Sequence, residues 1–522
     1  MRDTYRVERV DKRTLLKQLS FGARVAEDES DELAGYFVET DQWRRIIAGD
    51  VDVIYGPKGS GKSAIYSLMN SREDELFDKH VLIVAAENPR GATAFRDLVT
   101  NPPASEEEFR NLWKLYLTAL IATALRSYDI KNQPANALFR ALETAGLLEK
   151  RPSLQSLLRD ALVYVRSVAK AESIEGGLEI DPTTGLMSGF KGKITFRAPG
   201  AAAAKAGFLS VDELLHLANA ALEESDSSVW ILLDRLDVAF AETEELEKNA
   251  LRALFRVYLD TRADKCLQFK VFLRTDIWRR ITEEGWREAS HITRGVTIKW
   301  NSQLLLNLVI RRILSNAVVR EAFHVDDKQV LENTERQSEF FYRVFSKQVD
   351  SGTRKPTTLD WMLSRTRDGT GDTAPRELIH LLTEARAIQL QQIEIGQEAP
   401  PGETLIGPAA LREALSPVSE TRLTQTLYAE YPSLRPWIEK MEGQKTQHTA
   451  QTLAEIWKVS ANEASDIAAK LVDAGFFERR GSRDKPVYWV PFLYRPALKL
   501  VQGSADRDVI DAQDPEEAPE ET

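Results

Sequence analysis

Val51-Asp52-Val53-Ile54-Tyr55-Gly56-Pro57-Lys58-Gly59-Ser60-Gly61-Lys62-Ser63 decides how this chain is read. The first five residues, β-branched and aromatic and closed by glycine, predict a short buried strand. The next eight fit G-x-x-x-x-G-K-[ST] in full, and AIYSLMNS (64–71) continues with helical spacing. Glycines in such a turn let the backbone curl until successive N–H groups point at one anion. The helix that starts there adds its positive dipole end and its free donors. Lys62 supplies a mobile cation for β- and γ-phosphates, and the Ser63 hydroxyl is placed to ligate Mg²⁺. Gly56, Pro57, Lys58, Gly59, Ser60, Gly61, Lys62 and Ser63 are therefore the expected phosphate-binding residues.

Further strands are expected at VLIVAAEN (81–88), VWILLD (229–234), FKVFLRTD (269–276) and VTIKW (296–300), with helical segments between them. Strands alternating with helices predict a mainly parallel α/β sheet of five strands. The apolar run 229–233 ends in Asp234, which a buried strand delivers to the carboxyl edge where such sheets bind ligands. Asp234 is the expected acid reaching Mg²⁺ through water. Asp237, three residues on, is either the group that orients the attacking water or a helix cap and partner of Arg235. Arg274 or Thr275, at the tip of 269–276, is the candidate sensor of the γ-phosphate, unless Thr275 or Asp276 merely caps the next helix.

The chain has 522 residues, 43% apolar and 29% charged, enough for several cores without staples. Its single cysteine, Cys266, excludes an internal disulfide framework and fits a reducing cytoplasm. The six histidines form no H-x-x-x-H pair. The net charge of −11 argues against a globally basic nucleic-acid binder. No apolar run approaches ~18 residues, so no membrane span is expected. Residues 503–522 carry −7 of that charge, leaving −4 on the other 502 residues, and are expected to form a disordered acidic tail.

Four regions are expected: a core over 1–300 with an insertion of helices and a hairpin at about 100–225, a helical lid over 301–393, a winged-helix-like domain over 409–502, and the tail over 503–522. The hairpin would pair IEGGLEI (174–180) with GKITFR (192–197) across DPTTG. The Pro/Gly-containing stretch 394–408 marks the clearest boundary. Within 451–495, a short helix, a second helix capped by Ser460 with Glu463 in a capping box and closed by Gly475, and a strand-turn-strand read as a winged helix-turn-helix. Its second helix offers Asn462, Glu463, Ser465 and Asp466, which repel phosphates. Its wing carries Arg479, Arg480, Arg483 and Lys485. Phosphate contact through the wing, or protein contact, are both open.

The set GPKGSGKS, ILLDRLD (231–237), FLRTD (272–276) and TAPRELIHLLTEA (373–385) resembles the AAA+/STAND branch of P-loop ATPases, near the origin-recognition, KAP and NACHT types. ILLDRLD is similar to the D-G-L-D form of STAND proteins, with arginine replacing glycine. The resemblance covers roughly 25–390 and implies sheet order 5-1-4-3-2, with the strand 269–276 between the loop strand and the Asp234 strand. It also implies ATP with Mg²⁺, a sensor arginine at Arg376 reaching the γ-phosphate from the lid, and a homo-oligomer or protein partner. Where subunits share sites, an arginine finger from among Arg252, Arg256, Arg262 and Arg279 is implied. Many relatives place a glutamate directly after the first acid; here Arg235 stands there. A narrower resemblance, to small bacterial P-loop ATPases, rests on FGARVAEDESDELAGYFVET (21–40), Leu112-Trp113-Lys114-Leu115-Tyr116-Leu117 and Tyr488-Trp489-Val490-Pro491-Phe492-Leu493-Tyr494-Arg495. It implies a cytoplasmic ATPase, with phage defence suspected for some members. A slow nucleotide-gated switch and a DNA-bound regulator are the alternatives.

Overall fold

The computed structural model describes residues 11–23, 28–29, 32–86, 105–148, 153–174, 193–236, 244–283, 285–371, 373–483 and 485–505, without the side chains of 169–174. The chain divides into two compact units. One comprises Thr40–Gly56 and Lys62–Ile298, the other Met1–Glu39, Pro57–Gly61 and Lys299–Thr522. Among the described residues no helix is long and apolar enough to cross a membrane.

The first unit contains strands β1 (Val53–Gly56), β2 (Val81–Ala85), β3 (Ile194–Thr195), β4 (Leu209–Ser210), β5 (Ser228–Leu233), β6 (Leu267–Arg274) and β7 (Gly295–Thr297). Five of them form a parallel sheet in the order β2-β5-β6-β1-β7. Counted along the chain and read from the β7 edge, this is 5-1-4-3-2, so β6 lies between the loop strand and the Asp234 strand as expected. All five expected strands are present. Parallel strands covered on both faces read as apolar runs, as β1, β2 and β5 do; Val229 to Leu233 are all buried. The helix Glu106–Ser127 packs on this sheet, its start fixed by Ser105, whose hydroxyl accepts from the Glu108 N–H. Tyr116 within it donates to the carbonyl of Ala86 at 2.8 Å, and Trp113 to that of Ala250 at 2.8 Å.

The expected hairpin falls largely outside the described residues. Residues 175–192 lie outside the described ones, and Ile174 ends the helix Leu154–Ile174. β3 does form, but its partner is β4, downstream and parallel. The Tyr164 hydroxyl both accepts from the N–H of Ile194 and donates to its carbonyl, at 3.0 Å each. Both backbone groups of Ile194 on that side are thereby used, and β3 pairs on the other.

At the start of β1 the sheet holds a buried charge cluster. Lys270, fully buried on β6, lies 3.7 Å from Asp52, donates to the carbonyl of Val51 at 2.5 Å and sits 4.4 Å over the Trp230 ring. Asp52 also pairs with Arg294 at 3.1 Å and accepts from the Tyr258 hydroxyl at 2.8 Å. Burial pushes the Lys270 ammonium down to about 8, against the pull of Asp52.

The second unit has its own core. Leu15, Leu16, Leu19 and Phe21 pack with residues from Leu305 through Leu498. Arg312 pairs with Glu29 at 2.6 Å while lying 4.4 Å over Tyr36. Residues 394–408 lie inside this unit; Leu405 and Ile406 are buried there, and Leu405 N–H donates to the Val344 carbonyl. Four further strands, β8 (Lys445–His448), β9 (Glu478–Gly481), β10 (Pro486–Trp489) and β11 (Val501–Ser504), form a sheet in the order β11-β8-β10-β9. Between β8 and β9 run the helices Ala450–Trp457 and Ala461–Asp473. Ser460 caps the second through the Glu463 N–H at 3.2 Å, but the full reciprocal box belongs to Thr449 and Thr452 at the first. Six side chains alternate arginine and aromatic ring: Trp361, Arg365, Phe492, Arg495, Trp489 and Arg480, with successive cation-to-ring distances of 5.2, 3.9, 4.0, 4.6 and 3.9 Å.

Three buried titratable groups set measurable terms in stability. Asp52→Ala leaves Lys270 and Arg294 without their counter-charge and is expected to cost about 3–5 kcal/mol in denaturant unfolding. In the wild type, Lys270 binds fewer protons folded than unfolded between pH 8 and 10.5. Its contribution to stability therefore rises with pH across that window, and Lys270→Met should flatten the rise. His448, on β8, bonds the Lys445 carbonyl at 2.7 Å, and burial lowers its pKa to about 4 from 6.5. Stability should fall by roughly 3 kcal/mol as pH drops from 6.5 to 4, and less in His448→Gln.

Candidate functional site

In the first unit, β1 ends at Gly56, whose register partner on β6 is Arg274. The helix Lys62–Ser71 begins six residues later. Gly59 and Gly61 hold φ of +79° and +97°, values that an L side chain resists, and this turns strand into helix within so short a span. The Lys62 ammonium donates to the carbonyl of Gly56 at 2.8 Å, across the mouth of the loop. The Ser63 hydroxyl donates to Asp234 Oδ2 at 2.9 Å. Asp234 follows β5 directly and is buried. The fold thus brings together Lys62, Ser63 and Asp234.

Arg235 follows with φ +56°, and Asp237 lies outside the described residues. Thr275 opens the helix Thr275–Thr282 at the tip of β6, and its buried hydroxyl has no hydrogen-bond partner among the described residues. Arg274, the other sensor candidate, forks onto Asp276 at 3.0 and 2.8 Å. Of the expected finger arginines, Arg252 donates to the Ile281 carbonyl, Arg256 pairs with Glu106 and Glu288, and Arg262 bonds the His291 carbonyl and Thr293.

In the second unit, the Ser60 N–H donates to the Pro57 carbonyl at 3.3 Å, and the Ser60 carbonyl accepts from Trp300 Nε1 at 2.8 Å. Ser60 is 1% exposed, with its hydroxyl unpartnered among the described residues. A Cβ on Gly59 would stand 3.0 Å from Arg376 Cβ and 3.4 Å from Ala374 Cβ. Arg376 follows Pro375, the first residue of the helix Pro375–Glu394, so proline starts that helix where its missing N–H costs nothing. Lys58 pairs with Glu430. Trp300 and Glu430 escape a sequence reading because neither belongs to a motif. Among the expected wing cations, Arg480 forks onto Glu478 and stacks on Trp489, Arg479 donates to the Arg483 carbonyl, and Arg483 and Lys485 are exposed.

The donor chemistry suits a nucleotide with Mg²⁺. A serine hydroxyl and a carboxylate are hard oxygen ligands. Among the described residues no group of three or more His, Cys, Asp or Glu could hold a metal by itself. The orphaned Ser60 hydroxyl and the open space around Gly61 leave room and one spare donor for an anion.

Sheet order and loop together define an α/β fold of the P-loop kind. No family model matches the chain. It is 25% identical over 432 residues to a "putative transposon gamma-delta 80.3 kDa protein" of Escherichia coli strain K12, covering 81% of this chain and 53% of that protein. The chain thus spans about half the length of the curated relative it matches. Similar solved structures include the Aeropyrum pernix ORC1 protein in complex with DNA (13% identity, 88% of this chain and 91% of that one, TM-score 0.35). A Walker-type ATPase of Pyrococcus abyssi (10%, 89% and 96%, 0.39) and Drosophila ORC bound to DNA (11%, 94% and 93%, 0.29) are others.

Lys62→Ala removes the loop's mobile cation. It is expected to weaken Mg-ATP binding, read by calorimetry, by about 10- to 100-fold, the scale of one charged hydrogen bond.

Proposed function

We propose that this chain is a Mg²⁺-dependent ATPase of the AAA+/STAND type that couples nucleotide state to conformation or assembly. The observation that carries the reading is the hydrogen bond from Ser63 to Asp234 beside Lys62 at the head of its helix. Phosphoryl transfer of this kind rests on positioning and electrostatics more than on covalent chemistry. The loop N–H groups and Lys62 hold the β- and γ-phosphates, while Ser63 and Asp234 hold the cation's side of the site. Bound Mg²⁺ supplies charge neutralisation for the phosphate oxygens. Thr275, with its unspent hydroxyl, and Arg376, packed on Gly59, are the residues we assign to sensing the γ-phosphate. Asp237 is assigned to orienting the attacking water.

A second reading is favoured by one observation. Arg235, left-handed, occupies the place where many relatives put a glutamate. A protein lacking that base would hold ATP, turn it over slowly and act as a nucleotide-gated switch. Under either reading we place the chain in the cytoplasm, as a homo-oligomer or with a protein partner. The β9–β10 hairpin and the two helices before it support a winged helix over 409–502, following a lid over 301–393, with Arg479, Arg483 and Lys485 as its phosphate-facing set and Arg480 spent on Glu478 and Trp489. The transposon association of the E. coli relative agrees with a DNA-linked process; bacterial defence is the other setting.

The test is ATP turnover with Mg²⁺, with and without duplex and single-stranded DNA. Wild type should turn over ATP and Lys62→Ala should not. Asp237→Ala should keep binding and lose about 100-fold or more in rate, the usual share of a positioned base. Wild-type turnover equal to that of Lys62→Ala, with binding intact, would replace the ATPase by the switch.

A further inference from the structure

Three contacts within the second unit grip the loop residues 57–61. Trp300 holds the Ser60 carbonyl, Arg376 and Ala374 pack on Gly59, and Glu430 pairs with Lys58. The first two use no donor of the loop. The third ties down one of its cations. Lys58 occupies a variable position of G-x-x-x-x-G-K, and its side chain lines a cavity of about 110 Å³ together with Arg376, Glu377, His380, Arg422 and Gln425.

One wall of that cavity is irregular. The helix Pro408–Thr421, which contains Pro417, passes into a π-helical turn, Arg422–Leu427, and then into Tyr428–Glu430. A π turn carries an extra residue relative to an α turn and recurs at functional sites, because reverting it shifts everything beyond by one register. The segment 422–430 is pinned at both ends by ion pairs. Arg422 is buried against Glu377 at 2.9 Å and Asp368 at 3.1 Å, and Glu377 directly follows Arg376. The far end is Glu430 on Lys58. In the near anchor the cation, Arg422, is 9% exposed, whereas Lys58 is 32% exposed. The Lys58 pair is therefore the one that competition can open.

We propose that Lys58 and Glu430 form a latch on the phosphate loop. A polyphosphate entering the loop takes Lys58 from Glu430 and frees segment 422–430, so that this part of the chain reads whether the loop is filled. The inference rests on the ATP-binding reading and adds its means of regulation. A single carboxylate competes here with a ligand of three or four negative charges seated in the loop to which Lys58 belongs. Coupling is reciprocal, so Glu430 must weaken nucleotide binding by the same factor by which nucleotide loosens Glu430.

This sign separates the latch from a merely structural contact. Nucleotide affinity is measured by calorimetry with ATP and Mg²⁺ on the full chain in wild type, Glu430→Gln, Lys58→Met and the double variant. Amide exchange over 422–430 is followed with and without ATP. Glu430→Gln is expected to bind ATP about fivefold or more tightly, and Lys58→Met to abolish that gain. Exchange over 422–430 should rise with ATP in the wild type and be high without it in Glu430→Gln. Unchanged or weaker binding by Glu430→Gln, or the same gain in the Lys58→Met background, overturns the latch while Lys62-dependent binding keeps the ATP reading. Wild-type protein that binds no ATP overturns both.

Discussion

A backbone that must leave a buried strand, curl into a tight loop and enter a helix within six residues constrains everything else in this molecule. Only left-handed glycines at 59 and 61 allow the turn. The turn in turn needs a strand fixed at one end and a helix fixed at the other. β1 gets this by lying between β6 and β7 with Val53 and Ile54 fully buried. Its entry is held by Asp52, which gathers Lys270, Arg294 and Tyr258. The same parallel order sets the end of β5 so that Asp234 meets Ser63. Displacing any of these elements would separate the Ser63 and Asp234 oxygens.

Much of this is legible in the residues, for a physical reason. A parallel sheet covered on both faces demands unbroken apolar runs, and VIYG, VLIVA and SVWILL supply them between helical patterns. The loop is a motif because backbone curvature and anion charge leave few alternatives at Gly56, Gly59, Gly61, Lys62 and Ser63. What escaped lacks such a signature. β8 reads Lys-Thr-Gln-His, with no apolar residue, yet Thr446, Gln447 and His448 are buried; the Thr446 hydroxyl bonds the Gly503 backbone and the His448 ring the Lys445 carbonyl. Apolar periodicity cannot find such a strand. The π turn at 422–427 escaped because its spacing departs from 3.6 only locally. The pairing of β3 depended on one hydroxyl, Tyr164, thirty residues away in the chain.

Charge in the C-terminal region is used inwardly as well as outwardly. A count of basic residues marks Arg479, Arg480, Arg483 and Lys485 as one exposed set. The fold spends Arg480 on Glu478 and on the face of Trp489, where it continues a stack through Arg495, Phe492 and Arg365 to Trp361. Guanidinium planes suit such stacking better than lysine ammonium groups. The stack ties the β9–β10 hairpin to the helix Thr358–Thr366. Arg483 and Lys485 at its turn remain exposed on a rigid base.

The discontinuity of the second unit bears on how the chain is made. Leu15, Leu16, Leu19 and Phe21 pack against side chains that begin at Leu305. The Leu16 carbonyl accepts from Arg386, and Ser20 exchanges hydrogen bonds with Asn316. At about 5–20 residues per second, a ribosome needs on the order of 15 to 60 s to cross the intervening ~300 residues. The sheet of the first unit, by contrast, is complete once β7 has emerged. Through that interval the nascent chain carries an apolar amphipathic segment with no native partner, next to a sheet that is already able to close. Folding order is thus written into the connectivity: the segment 15–21 can be buried only after the stretch that begins at Leu305 has emerged, and it depends on staying uncommitted until then.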